Sequence, residues 1–212
     1  MDTEELIQAL VGDARRPGAS LSRIWWGAAG LATALAAIVF FATLEPRPDL
    51  ATAAETPRFL FKIAVAIVLA FSAFGLVRAL SRPGEGWRHA MPYLAIVPTL
   101  AAIAVMAELL SVPPDMWLAR LLGANSLACL MSITLIGVGP LAVFVLVLGY
   151  GAPTKPIVAG AVAGLFAGGI AATLYAIHCP DDSPLFVATW YTLAIAGLAL
   201  IGAGAAHRVA RW

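Results

Sequence analysis

Two cysteines, Cys129 and Cys179, are the residues best suited to chemistry in this chain. His178 adjoins the second, and Asp181 and Asp182 follow it. Met131 stands close to Cys129, and Met116 lies a little earlier. Thiolate, imidazole and thioether groups suit soft or borderline ions such as Cu(I) or Zn(II). Two thiols on an oxidising face also suit a redox pair. Cys129, Cys179 and His178 are therefore the candidate redox or metal-sensing residues. They fall short of a closed structural zinc site, although a labile sensor site does not need one. Other readings stay open. A buried cysteine serves as a small hydrophobe, a histidine at a helix C-terminus offsets the helix dipole, and methionines fill gaps.

A second group lies at the N-terminus. Asp2 and Glu5 form a helix-start pattern. Leu6, Ile7, Leu10 and Val11 then share one stripe at helical spacing, with Glu4, Glu5 and Gln8 largely off it. Gly12 and the run Arg15-Arg16-Pro17-Gly18 end the pattern. Residues 2–14 read as a short acidic amphipathic helix on a tether. Such a helix is marginal alone and orders against a partner groove. Membrane-surface helices favour basic polar faces, so an acidic one points to a protein partner with a basic, partly apolar surface. Glu4, Glu5, Leu6, Ile7, Leu10 and Val11 are the candidate contacts.

The elements that must position these residues are long apolar segments. The chain of 212 residues is 61% hydrophobic and 12% charged, whereas soluble domains average roughly 45–50% and about 25%. A span needs about 20 apolar residues, and six segments qualify: 24–44, 59–80, 91–110, 126–148, 156–178 and 184–206. Proline-, glycine- and charge-rich breaks separate them. The expected fold is an all-α membrane protein, a bundle of six transmembrane helices (24–212) behind a cytoplasmic N-terminal segment (1–23). Acidic residues at the start and the lack of an apolar h-region argue against a cleaved signal peptide. The first span is expected to act as an uncleaved anchor.

Orientation follows from lysine and arginine in short loops. Arg15, Arg16, Arg23, Arg78, Arg82, Arg88, Lys155, Arg208 and Arg211 fall on one side, and Arg47, Arg58, Lys62 and Arg120 on the other. Both termini are thus expected in the cytoplasm, with Trp25, Trp26, Trp87 and Trp212 at that interface and Trp117 at the far one. Alternating topology then puts Cys129, near the start of the fourth span, and Cys179, at the end of the fifth, at similar depth near the far face. The short connection near 149–155 makes those two spans antiparallel neighbours. In a bacterium that face is the periplasm, where disulfides persist; the spacing permits a disulfide and does not require one.

Several functions are disfavoured. A net charge of +1 provides no field for nucleic acid. No zinc-protease, Walker, nucleophile-elbow or dinucleotide motif is present, so no enzyme is expected. Charges inside spans mark ion and proton paths; here Glu108 and Lys62 lie near one interface, where both could snorkel outward. Pro98 and Pro140 are candidate kinks. Gly160, Gly164 and Gly168 form a small-residue stripe suited to close packing within the bundle, with the sixth span as partner.

The chain resembles the NrsF-type membrane anti-sigma factors, which restrain extracytoplasmic-function sigma factors in Gram-negative bacteria. The resemblance rests on Thr3-Glu4-Glu5-Leu6-Ile7 through Asp13-Ala14, on Arg47-Pro48-Asp49-Leu50 and on Gly151-Ala152-Pro153. It rests most specifically on Thr173-Leu174-Tyr175-Ala176-Ile177-His178-Cys179-Pro180-Asp181-Asp182-Ser183, and ends at Arg211-Trp212. It implies six spans in the inner membrane and an N-terminal segment that binds the sigma factor. It also implies two periplasm-side cysteines, here Cys129 and Cys179, that sense metals or oxidants. No cofactor is required, although a labile copper or zinc ion at the cysteine pair fits the expectation. A small transporter or metal-handling subunit is the alternative, disfavoured by the scarcity of charge within spans. A membrane thiol oxidoreductase partner is a third reading, weakened by the lack of a CxxC motif.

Overall fold

In the computed structural model, residues 3–5, 7, 21–82, 84, 86–151 and 153–209 are described. Among them are six helices long and apolar enough to cross a membrane. The first is Leu21–Thr43, the second Pro57–Leu80 and the fourth Ser126–Leu148; the fifth is Pro156–His178. The third and sixth occupy Trp87–Ser111 and Pro184–Val209. Three of these helices begin with proline at their first position, where a missing N–H costs nothing and φ is already helical. Thr56 also caps the second, accepting the Phe59 N–H at 3.4 Å.

The expected limits hold to within a few residues, but two spans are not single α-helices. The third breaks at Ala95 into Trp87–Leu94 and Ile96–Ser111. Pro92 and Pro98 flank the break, and each removes a backbone donor. Ala95 N–H turns instead to the Pro92 carbonyl at 3.1 Å. The break therefore lies before Pro98 rather than at it, while the fourth helix runs on through Pro140. The sixth span opens with a short helical turn, Pro184–Phe186, passes through a π-helical turn at Val187–Tyr191, and continues as Thr192–Val209. Short helices at Leu50–Ala53 and Trp117–Leu122 lie in the connections.

The fifth span is the centre of the bundle. It packs against the sixth, second, fourth and first, and 67% of its central residues are buried, against 6% in the third. The glycine stripe explains this position. A Cβ on Gly160 would strike the Gly202 carbonyl and Ala206, one on Gly164 the Leu198–Ala199 backbone, and one on Gly168 the Ile195 side chain. The stripe packs on the sixth span, as its spacing predicts. Toward the other end of the bundle from the cysteines, Phe144 meets Phe166 at 4.5 Å and Trp25 at 5.5 Å between ring centroids. Trp25 is buried in this core, not placed in an interfacial belt, while Trp26 is exposed. Large apolar side chains such as Phe71, Leu110 and Leu200 lie exposed on the outside of the bundle.

Candidate functional site

The site is built around the five-residue connection Cys179-Pro180-Asp181-Asp182-Ser183 between the fifth and sixth spans. The fifth helix ends because Cys179 turns to extended backbone, its N–H still bonded to the Tyr175 carbonyl at 3.0 Å. Two of its carbonyls and three of its side chains are tied to other elements. Lys62, in the second span, is fully buried. Its Nζ donates to the Cys179 carbonyl at 2.8 Å and the Asp181 carbonyl at 3.4 Å, and pairs with Asp182 Oδ1. Arg47, from the first connection, donates to Asp182 Oδ2 at 2.8 Å. It also forms a fork with both oxygens of Asp49 at 2.7 Å. This pairing lowers the Asp49 carboxyl below its usual range and raises Arg47 further.

Asp181 anchors the start of the fourth span. Its Oδ2 accepts the Ala124 N–H at 3.2 Å, the Asn125 N–H at 3.0 Å and Asn125 Nδ2 at 2.9 Å. These amides turn toward it because Gly123 adopts φ +56°, where a side chain would also meet Phe186 and Asp181. Glu108 holds the far side of the connection. It accepts Ser183 Oγ at 2.7 Å, the Leu185 N–H at 3.0 Å and Arg120 at 2.9 Å, with Arg58 at 3.8 Å. Lys62 and Glu108 thus do not snorkel outward. Both are buried and paired, because a buried charge is stable only with opposite charge and hydrogen bonds around it.

Beneath this ionic cap lie the thiols. Cys129 and Cys179 are both fully buried and free, in one cluster with Tyr175, Tyr191 and Phe186. Burial raises the Cys179 thiol above its ordinary value, opposed by the Lys62 charge and the Asp181 backbone amide. The fold sets its two cysteines at one end of the bundle, within electrostatic reach of each other. It does not add His178 to them. His178 Nδ1–H donates to the Glu45 carbonyl at 2.6 Å, and its ring stacks near Tyr175. Among the described residues, no group of three or more His, Cys, Asp or Glu side chains is arranged to hold a metal ion. The Cys129, Cys179 and His178 trio does not form a closed metal site.

A lateral pocket of about 480 Å³ opens between the second, third and sixth spans, with Lys62 and Tyr191 in its wall. Sequence reasoning missed Tyr175 and Tyr191. Tyr175 is the only hint of the two, since it stands within the distinctive stretch before Cys179. In the N-terminal segment, Thr3–Glu5 and Ile7 are helical, and Glu4, Glu5 and Ile7 are exposed. Leu6, Leu10 and Val11 lie outside the described residues.

The model of a protein family described as negative regulator of sigma F, NrsF, matches residues 10–212. The chain is 35% identical to the anti-sigma-F factor NrsF of Caulobacter vibrioides, over all of both chains. It is 33% identical to a probable anti-sigma-F factor NrsF of Azospira oryzae, again over both full lengths. No solved structure matches it.

Proposed function

Because the chain belongs to the NrsF family of negative regulators of sigma F, we propose that it holds an extracytoplasmic-function sigma factor at the bacterial inner membrane and releases it when Cys129 and Cys179 are modified. The observation that carries the sigma partner is the similarity to an anti-sigma-F factor along the whole length of both chains. Its role is then regulatory rather than catalytic. The exposed face bearing Glu4, Glu5 and Ile7 is the described part of the sigma contact, with Leu6, Leu10 and Val11 as further anchors. An acidic, apolar segment suits the basic surface of a DNA-binding partner. Both termini face the cytoplasm by the distribution of lysine and arginine.

The thiol pair faces the periplasm in that orientation. Its burial among tyrosines, with His178 turned away, favours thiol oxidation over a resident ion as the signal. Among the described residues, a soft ion such as copper or zinc would find no third His, Cys, Asp or Glu ligand beside the two sulfurs. The modified thiols must favour a second arrangement of the bundle, since a signal indifferent to both states would shift nothing. The connection after Cys179 is the part that such a change reaches first, because it binds the first connection, the second and third spans and the start of the fourth.

Deleting residues 1–14 is expected to release target transcription constitutively while the protein still inserts. Retained repression would remove the sigma contact from this segment. Cys129→Ser and Cys179→Ser are each expected to blunt induction by oxidants; an unchanged response in both would reduce the pair to packing.

A further inference from the structure

Two buried hydroxyls beside the thiols have no hydrogen-bond partner. Tyr175 and Tyr191 are 1% and 4% exposed, and each hydroxyl is unsatisfied. A buried hydroxyl without a partner is costly, and such exceptions in folded proteins call for a specific cause. Simple packing is a poor cause, because phenylalanine would fill the same space at no polar cost. The two rings stand 6.0 Å apart between centroids. Tyr175 stands one helical turn before Cys179, whose N–H bonds its carbonyl at 3.0 Å, and both hydroxyls are within electrostatic reach of both thiols. A thiol is a weak acceptor and leaves a tyrosine O–H largely unused. An oxygen atom placed on sulfur would supply the missing acceptor.

We propose that Tyr175 and Tyr191 are positioning residues of the sensing site, whose hydroxyls hold the oxygen that a small hydroperoxide adds to Cys179 or Cys129. The step is thiol plus hydrogen peroxide giving sulfenic acid plus water. The S–O bond forms and the O–O bond breaks. Sulfur loses two electrons to the peroxide, and the thiol proton leaves with the departing oxygen as water. The resting chamber thus carries two unmet donors that the oxidised state satisfies. That difference gives the signal a preference between states. Tyr191 also lines the lateral pocket between the second, third and sixth spans.

This inference rests on the thiol-sensing reading, and its test separates the two. Full-length protein in lipid nanodiscs is treated with hydrogen peroxide, and sulfenic acid at Cys129 and Cys179 is trapped with dimedone and measured by mass spectrometry. The variants are Tyr175→Phe, Tyr191→Phe and the double variant, beside Cys129→Ser and Cys179→Ser. Each lost hydroxyl is expected to lower trapped sulfenic acid up to about tenfold, the upper size of one neutral hydrogen bond. Resting repression should stay unchanged in the Phe variants, and thermal stability should not fall and should rise where an unmet buried hydroxyl is removed. Wild-type trapping in the double Phe variant would overturn the tyrosine assignment, even if the Cys→Ser variants abolish the response. Lost repression or lost folding in the Phe variants would likewise overturn it, by making the hydroxyls structural. Failure of both Cys→Ser variants to alter induction would instead overturn the sensing reading itself.

Discussion

At the scale of single residues, Lys62 decides whether the cysteine end of the bundle holds. Its ammonium donates to two backbone carbonyls and pairs ionically with the Asp182 carboxylate. Removing one partner of a buried pair costs about 3–5 kcal/mol, because the other charge stays behind. Lys62→Met is therefore expected to destabilise the protein by about 3 kcal/mol, the lower end of that range, since Asp182 keeps Arg47 at 2.8 Å. Thermal unfolding in detergent measures it. Because Lys62 holds the Cys179 carbonyl, the same variant should also speed maleimide labelling of Cys179 in the folded protein, as the connection lifts from its anchor. Labelling as slow as in wild type would show that the cap does not shield the thiols.

Among elements, the contact between fifth and sixth spans is the most sensitive to volume. A Cβ on Gly164 would lie 2.5 Å from the Ala199 Cα, a backbone atom with no freedom to move aside. Gly164→Val is expected to cost about 1–3 kcal/mol by overpacking. Gly197→Ala and Gly204→Ala, where nothing lies within 4 Å, should change the melting temperature little. This contrast also marks what was legible beforehand. A stripe of glycines at four-residue spacing is a local pattern, and so are apolar runs of span length and prolines at helix starts; these placed the six helices and brought both thiols to one end. The break at Ala95 was half visible, because Pro92 and Pro98 announce a fault but not which residue absorbs it. The π-turn at Val187–Tyr191 carries no local mark, since the packing of neighbouring spans sets it. The pairing of Lys62 with Asp182 and of Glu108 with Ser183 was hidden for a different reason. Each charge sits near a span end, where reaching outward is equally allowed, and only contacts across the bundle select the inward state.

For the molecule as a whole, several partners of the two charges buried among the described residues come late in the chain. Lys62 waits for Cys179, 117 residues onward, and Glu108 for Ser183 and Leu185, 75 and 77 residues onward. A chain ended after His178 should therefore fail to close the bundle. Pulse-chase labelling should show it degraded several-fold faster than the full chain. Lys62→Met should lengthen the life of the truncated chain, because the orphaned ammonium is removed; an unaltered half-life would place the defect elsewhere. At about 5–20 residues per second, a ribosome leaves Lys62 without its final partner for roughly 6–23 seconds. Through that interval the second span carries an uncompensated ammonium, whereas Glu108 already has Arg120 beside it. Assembly is thus coupled to the completion of synthesis, and a nascent bundle has no closed form until its last span has emerged. Membrane proteases that survey such intermediates would meet every unfinished copy in its open form and every finished copy sealed.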